Sequence, residues 1–152
     1  NEVCEKVGVP RSSFYYHYNT IRDVLEEIEK DFIKELSKSL SVLEINGLEE
    51  KERYLKSLEA SLPVIKTYEQ FIKTVVVERQ DLSFMTRWAK LIAEQTRIAQ
   101  QDFLKEQTLA FTTIFSIADM LNSNIPLAKI KGETIYKTSG HLYELKKELL
   151  EL

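Results

Sequence analysis

From Thr20 to Leu43 the chain reads TIRDVLEEIEKDFIKELSKSLSVL. Ile21, Leu25, Ile28, Phe32, Leu36, Leu40 and Leu43 recur every three or four residues, while Glu26, Glu27, Lys30, Lys34 and Lys38 take the other faces. One apolar stripe at that period is an amphipathic helix, and its length makes it the clearest element of the sequence. Thr20 followed by Asp23 predicts a capping box at its start. Asn46-Gly47 ends it.

Downstream, the same reading gives more helices. One starts at about Leu48, and Pro63 is expected to break or kink it, because the residue before a proline avoids helical geometry. Another is expected from about Val64 to Val77. Asp81 reads as the cap of a helix carrying Phe84, Trp88, Leu91, Ile92 and Ile98, with an end near Lys105. A further helix runs from about Thr108 to before Pro126, and the last from about Gly132 to Glu151. Val75-Val76-Val77 is the only β-like run and is too short to pair. The chain is therefore expected to be all-α, with no repeats and no low-complexity segment.

Composition agrees. Among 152 residues, only 4 are Gly and 3 Pro, so long helices go uninterrupted. A hydrophobic fraction of 43% is enough for a packed core and argues against disorder. The single Cys4 excludes an internal disulfide framework and fits a reducing compartment. No apolar run approaches the roughly 18 residues of a membrane span. With no basic-then-apolar leader, a cytoplasmic protein is expected. The net charge of −3 carries no global nucleic-acid signature. Residues 1–22 differ slightly, with Lys6, Arg11 and Arg22 against Glu2 and Glu5.

Upstream of Thr20 the pattern is helix, glycine turn and short helix. Val3, Cys4 and Val7 recur at helical spacing, Gly8 ends the turn, and Pro10 suits a first helical position. A helix of about two turns, from Arg11 to Tyr18, buries Phe14 and Tyr18, four apart, and exposes Arg11, Ser12, Ser13, Tyr15, Tyr16 and His17. Together with the long helix this is a helix-turn-helix pattern. Short hydroxyls at a helix N-terminus suit phosphate oxygens. Arg11 has the fork for a bidentate bond to guanine in the major groove, and Tyr16 can pack on a thymine methyl. Three tyrosines in four residues also fit a packed aromatic cluster or a protein-binding surface. The chain opens at Asn1 inside this first helix, without Met, so residues before Asn1 are expected.

The string Gly8-Val9-Pro10-Arg11-Ser12-Ser13-Phe14-Tyr15-Tyr16-His17-Tyr18 resembles the DNA-binding segment of the TetR family of transcriptional regulators. Gly8 and Val9 match that segment outright, Phe14 and Tyr18 fall on its buried positions, and Tyr15 on its most characteristic tyrosine. His17 falls on an aromatic or histidine position and Leu25 on the closing leucine. The match covers Asn1 to about Leu25. It implies DNA contacts from Pro10, Arg11, Ser12, Ser13, Tyr15, Tyr16, His17, Thr20 and Arg22. Two departures stand out. Ser12-Ser13 replaces the family's Gly-Thr, and Ile21 replaces a frequent phosphate-binding lysine, with Arg22 beside it as a substitute. The resemblance also implies a division into a DNA-binding part at 1–20, whose first helix is missing from this chain, and a helical effector-binding and dimerisation part at 21–152.

In that second part, Tyr68, Phe71, Phe84, Trp88, Phe103 and Phe111 are candidates to line a pocket for an apolar or aromatic effector, although most such residues must be core. The stretch Leu109–Leu121 is apolar around much of its circumference, which suits either a central core helix or a second buried face. The resemblance favours a homodimer through Phe115, Ala118, Leu142, Leu145 and Leu149. His17 and His141 are the only histidines, and neither metal-ligand spacing nor a glycine-rich phosphate loop is present, so no enzyme activity and no cofactor are expected. The expected function is a ligand-responsive repressor that binds a pseudopalindromic double-stranded operator as a homodimer. The alternative is a protein of the same build whose DNA head is degenerate and which acts through protein partners.

Overall fold

A reciprocal cap sets the start of the long stripe: Asp23 N donates to Thr20 Oγ1 and Thr20 N donates to Asp23 Oδ2, each at 3.2 Å. From there helix α1 (Ile21–Ser41) runs to a turn in which Gly47 takes φ +80°, a backbone angle few side chains tolerate. The computed structural model describes Gly8 and residues 20–97 and 102–151. Among these the remaining elements are α2 (Glu50–Thr67), the short α3 (Glu69–Ile72), a π turn (Lys73–Glu78), α4 (Leu82–Thr96), α5 (Phe103–Asn122), a 3-10 turn (Leu127–Lys129) and α6 (Gly132–Leu150). The fold is all-α, and no strand occurs among the described residues.

Several boundaries differ from the sequence expectation. Pro63 lies inside α2 and does not end it. It lies on the exposed side of α2, and the helix continues through it to Thr67 despite the missing N–H and the crowding of the ring against the preceding turn. The expected helix from Val64 to Val77 is therefore divided between the end of α2, α3 and the π turn. Val75 and Val76 are buried in that turn, where β-branched bulk matters more than strand propensity. Asp81 caps α4 as expected, accepting from Phe84 N at 3.0 Å. Helix α4 stops at Thr96, well before Lys105, because Arg97 takes a left-handed φ of +56°. Asp102 then caps α5 by accepting from Lys105 N.

Helix α1 packs on α2 and α4, and α5 lies between α4 and α6 while touching the π turn. Phe32 and Leu36 of α1, Tyr54 and Ile65 of α2, Phe84 and Trp88 of α4, and Ile114 and Ile117 of α5 are buried together. Burial of each such side chain contributes about 1.5–3 kcal/mol. Helix α6 is peripheral, burying only Ile135 and Ser139. Arg53 ties the start of α2 to the end of α4, donating from Nε to the Thr96 carbonyl at 2.9 Å and from Nη1 to the Leu48 carbonyl at 2.6 Å.

Candidate functional site

Of the expected DNA-contact residues, Pro10, Arg11, Ser12, Ser13, Tyr15, Tyr16 and His17 lie outside the described residues. Gly8 is described, exposed and at φ +74°, the left-handed geometry a glycine turn requires. Thr20 is committed to the cap of α1. Arg22 stands free of the core and donates from Nε to Glu26 Oε1 at 2.9 Å, one helical turn away.

The six aromatic candidates for an effector pocket separate into three places. Tyr68, Phe71, Phe84 and Trp88 surround Phe32 at ring-centroid distances of 5.5, 6.3, 5.8 and 5.3 Å. At those separations the rings pack against one another as core, while Trp88 also lines a small cavity and Phe71 a broad polar cleft between α1, the π turn and α4. Tyr68 reaches the edge, where its hydroxyl donates to Glu35 Oε1 at 3.0 Å. Phe103, at the start of α5, is 74% exposed. Phe111 stacks on Phe115 at 6.1 Å along the outer side of α5. Sequence shows that aromatics concentrate here but not which of them face one another.

The structure places a small cavity beside that cluster, lined from α1, α2, α4 and α5, with a volume of about 20 Å³. Its apolar walls are Leu40, Leu58, Ile65, Ile92, Ile117 and the far side of Trp88. Tyr54, Ser57, Ser61, Thr96 and Thr113 add hydroxyls, and no Asp, Glu, His, Lys or Arg lines it. These hydroxyls escaped the sequence reading. The signal was present, since Tyr54, Ser57, Leu58, Ser61 and Ile65 share one face of α2 at spacings of three and four.

The hydroxyl protons can be followed one by one. Thr113 Oγ1 donates to the Leu109 carbonyl at 2.8 Å, so in its 2.9 Å contact with Tyr54 the phenol is the donor. Ser61 Oγ donates to the Ser57 carbonyl at 2.6 Å, and Thr96 Oγ1 to the Ile92 carbonyl at 2.9 Å. Ser57 Oγ has no partner, although the residue is only 6% exposed. Burial pushes the Tyr54 phenol up to about 12. The cavity is therefore uncharged at neutral pH.

One turn before Tyr54 on α2, a polar cluster joins α2, α5 and α6, with the Tyr136 ring 5.6 Å from that of Tyr54. Tyr136 donates to Glu50 Oε1 at 2.5 Å, and Lys105 Nζ lies 2.9 Å from the same oxygen. Burial pushes the Glu50 carboxyl up, but the hydrogen bonds from Tyr136 and Lys105 and the charges of Lys105 and Arg53 outweigh it and hold the group below its ordinary value. Tyr143 donates to Asp102, and Lys146 Nζ to Thr108 Oγ1 at 3.2 Å.

Four of the five residues expected at a dimer face are exposed on α5 and α6: Phe115 (49%), Leu142, Leu145 and Leu149 (68%). Ala118 is instead part of the protomer core, because it lies on the inward side of α5 with Ile114 and Ile117. No cluster of His, Cys, Asp or Glu with metal-binding arrangement occurs among the described residues. No described helix is long and apolar enough to cross a membrane. No protein-family model, curated protein or solved structure matches the chain.

Proposed function

We propose that the chain is a one-component transcriptional regulator resembling the TetR family, a ligand-responsive repressor that binds a pseudopalindromic operator as a homodimer. The observation that carries this reading is continuity: the Gly8–Tyr18 string runs directly into the Thr20 cap of α1. Helix α1 in turn ends at the cavity, where Leu40 is part of the wall. Twenty residues of helix separate Thr20 from Leu40, about 30 Å at 1.5 Å each. A stiff rod of that length transmits a shift at the cavity to the head as a rigid displacement, the hinge-like type of transition. The exposed Phe115, Leu142, Leu145 and Leu149 supply an apolar face for a second copy.

The test is selection of bound DNA from random duplexes by the full chain, followed by binding at increasing salt. A selected pseudopalindrome, with affinity falling steeply as salt rises, is expected. Failure to select any sequence would overturn the reading. A specific observation favours the adaptor alternative. Ile21 stands where the family often has a lysine, and the neighbouring Arg22 is engaged by Glu26 at 2.9 Å. In that alternative the full chain binds DNA neither selectively nor with a salt-dependent affinity.

A further inference from the structure

Between α1, α2, α4 and α5, every cavity hydroxyl except that of Ser57 already donates within the protein: Tyr54 to Thr113, Thr113 to Leu109, Ser61 to Ser57 and Thr96 to Ile92. A buried donor left unmatched is costly, and such groups in folded proteins call for an explanation. We infer that the cavity is a binding site for an uncharged, largely apolar small molecule bearing one oxygen acceptor, which receives the hydrogen bond from Ser57 Oγ. This inference supplies the chemistry of the effector site in the regulator reading and rests on that reading for its regulatory meaning.

Three properties of the site define the class of ligand. The absence of Asp, Glu, His, Lys and Arg from the walls excludes a carboxylate, phosphate or ammonium, whose desolvation nothing here offsets. Leu58, Ile65, Ile92, Ile117 and the edge of Trp88 suit an aliphatic or aromatic body. Because the other hydroxyl protons are in use, the polar group must accept a hydrogen bond, so an alcohol, ether or ketone fits. A volume of about 20 Å³ holds little more than a water, so the ligand enters by displacing a wall. The α2 wall can give way. It carries Ser57, Ser61 and Ile65 on either side of Pro63, where the helical hydrogen-bond ladder lacks one N–H.

Trp88, the only tryptophan, borders the cavity and reports on it. The experiment titrates the full chain with benzyl alcohol, toluene and benzoate while following Trp88 emission. Benzyl alcohol should give a saturable change and bind about two- to tenfold more tightly than toluene, the range one net hydrogen bond provides. Benzoate should give none. In Ser57→Ala the advantage of benzyl alcohol over toluene should disappear. Ile92→Ala, which widens the cavity at a half-buried wall position, should bind both neutral probes more tightly. An unchanged emission with both neutral probes in wild type and Ile92→Ala overturns the inference. So does binding of benzoate, or an alcohol advantage that survives in Ser57→Ala. None of these readouts uses DNA, so a failure here is distinct from a failure of operator selection.

Discussion

Replacing Ser57 by alanine removes the one cavity hydroxyl without a partner, and the free protein should become more stable. An unmatched buried polar group costs about 1–3 kcal/mol, which the substitution relieves. Alanine also gains a few tenths of a kcal/mol over serine inside a helix such as α2. Against this stands the loss of one oxygen atom from the wall of a cavity of about 20 Å³, a packing penalty smaller than that of a deleted methylene at about 0.8 kcal/mol. The balance is a stabilisation of about 1–2 kcal/mol. Urea denaturation at fixed protein concentration should show a higher midpoint with unchanged slope. The thermal midpoint should rise by about 2–4 °C for each kcal/mol. A lower midpoint would mean that the Ser57 hydroxyl is satisfied in solution, for instance by a trapped water, and would refute the proton count that singles it out.

Two further outcomes are expected elsewhere in the molecule. Glu50 has a folded-state carboxyl held below its ordinary 4.5, so its contribution to stability is complete above that pH and is lost as pH falls through the folded value. Glu50→Gln should therefore flatten the acid limb of the stability curve below about pH 4.5 and leave its slope near neutral pH unchanged, as followed by thermal melts across pH. Phe115→Asp places a charge on the exposed apolar side of α5 and should convert dimers to monomers by light scattering without loss of helical signal. A monodisperse wild-type monomer would remove the proposed interface.

The helical class was legible because the signal in α1 is long. Leu25, Phe32, Leu36 and Leu40 are all buried as their spacing requires, although Ile21 is exposed and its place is taken by the buried Val24, one turn on. The caps were legible for the same local reason: Thr20, Asp23 and Asp81 act within three residues of themselves. Pro63 misled because the packing of Leu58 and Ile65 on either side of it holds the helix through a local break, a tertiary fact. The end of α4 was hidden because nothing in Arg97 advertises a left-handed backbone. The aromatic candidates could not be sorted into lining and core for a related reason. Phe71, Phe84 and Trp88 have the spacing of a lining and the spacing of a core alike, and only the position of Phe32 decides between them. The polar wall was obscured because hydroxyls in a helix usually return to their own backbone, as those of Ser61 and Thr96 do, and Ser57 differs only by lacking that bond.

The π turn at Lys73–Glu78 has a consequence for sequence change. Asp81 N reaches back to the Val75 carbonyl at 2.8 Å, six positions away, where an α-helix would reach back four. The segment thus holds more chain than a regular helix of the same rise would need. Removing one residue from Val75-Val76-Val77 allows the turn to tighten toward ordinary α geometry, whereas a deletion within α4 rotates every later side chain of that helix by about 100°. The turn sets Val75 and Val76 into the core between Phe71 and Phe84, whose rings lie 5.3 Å apart.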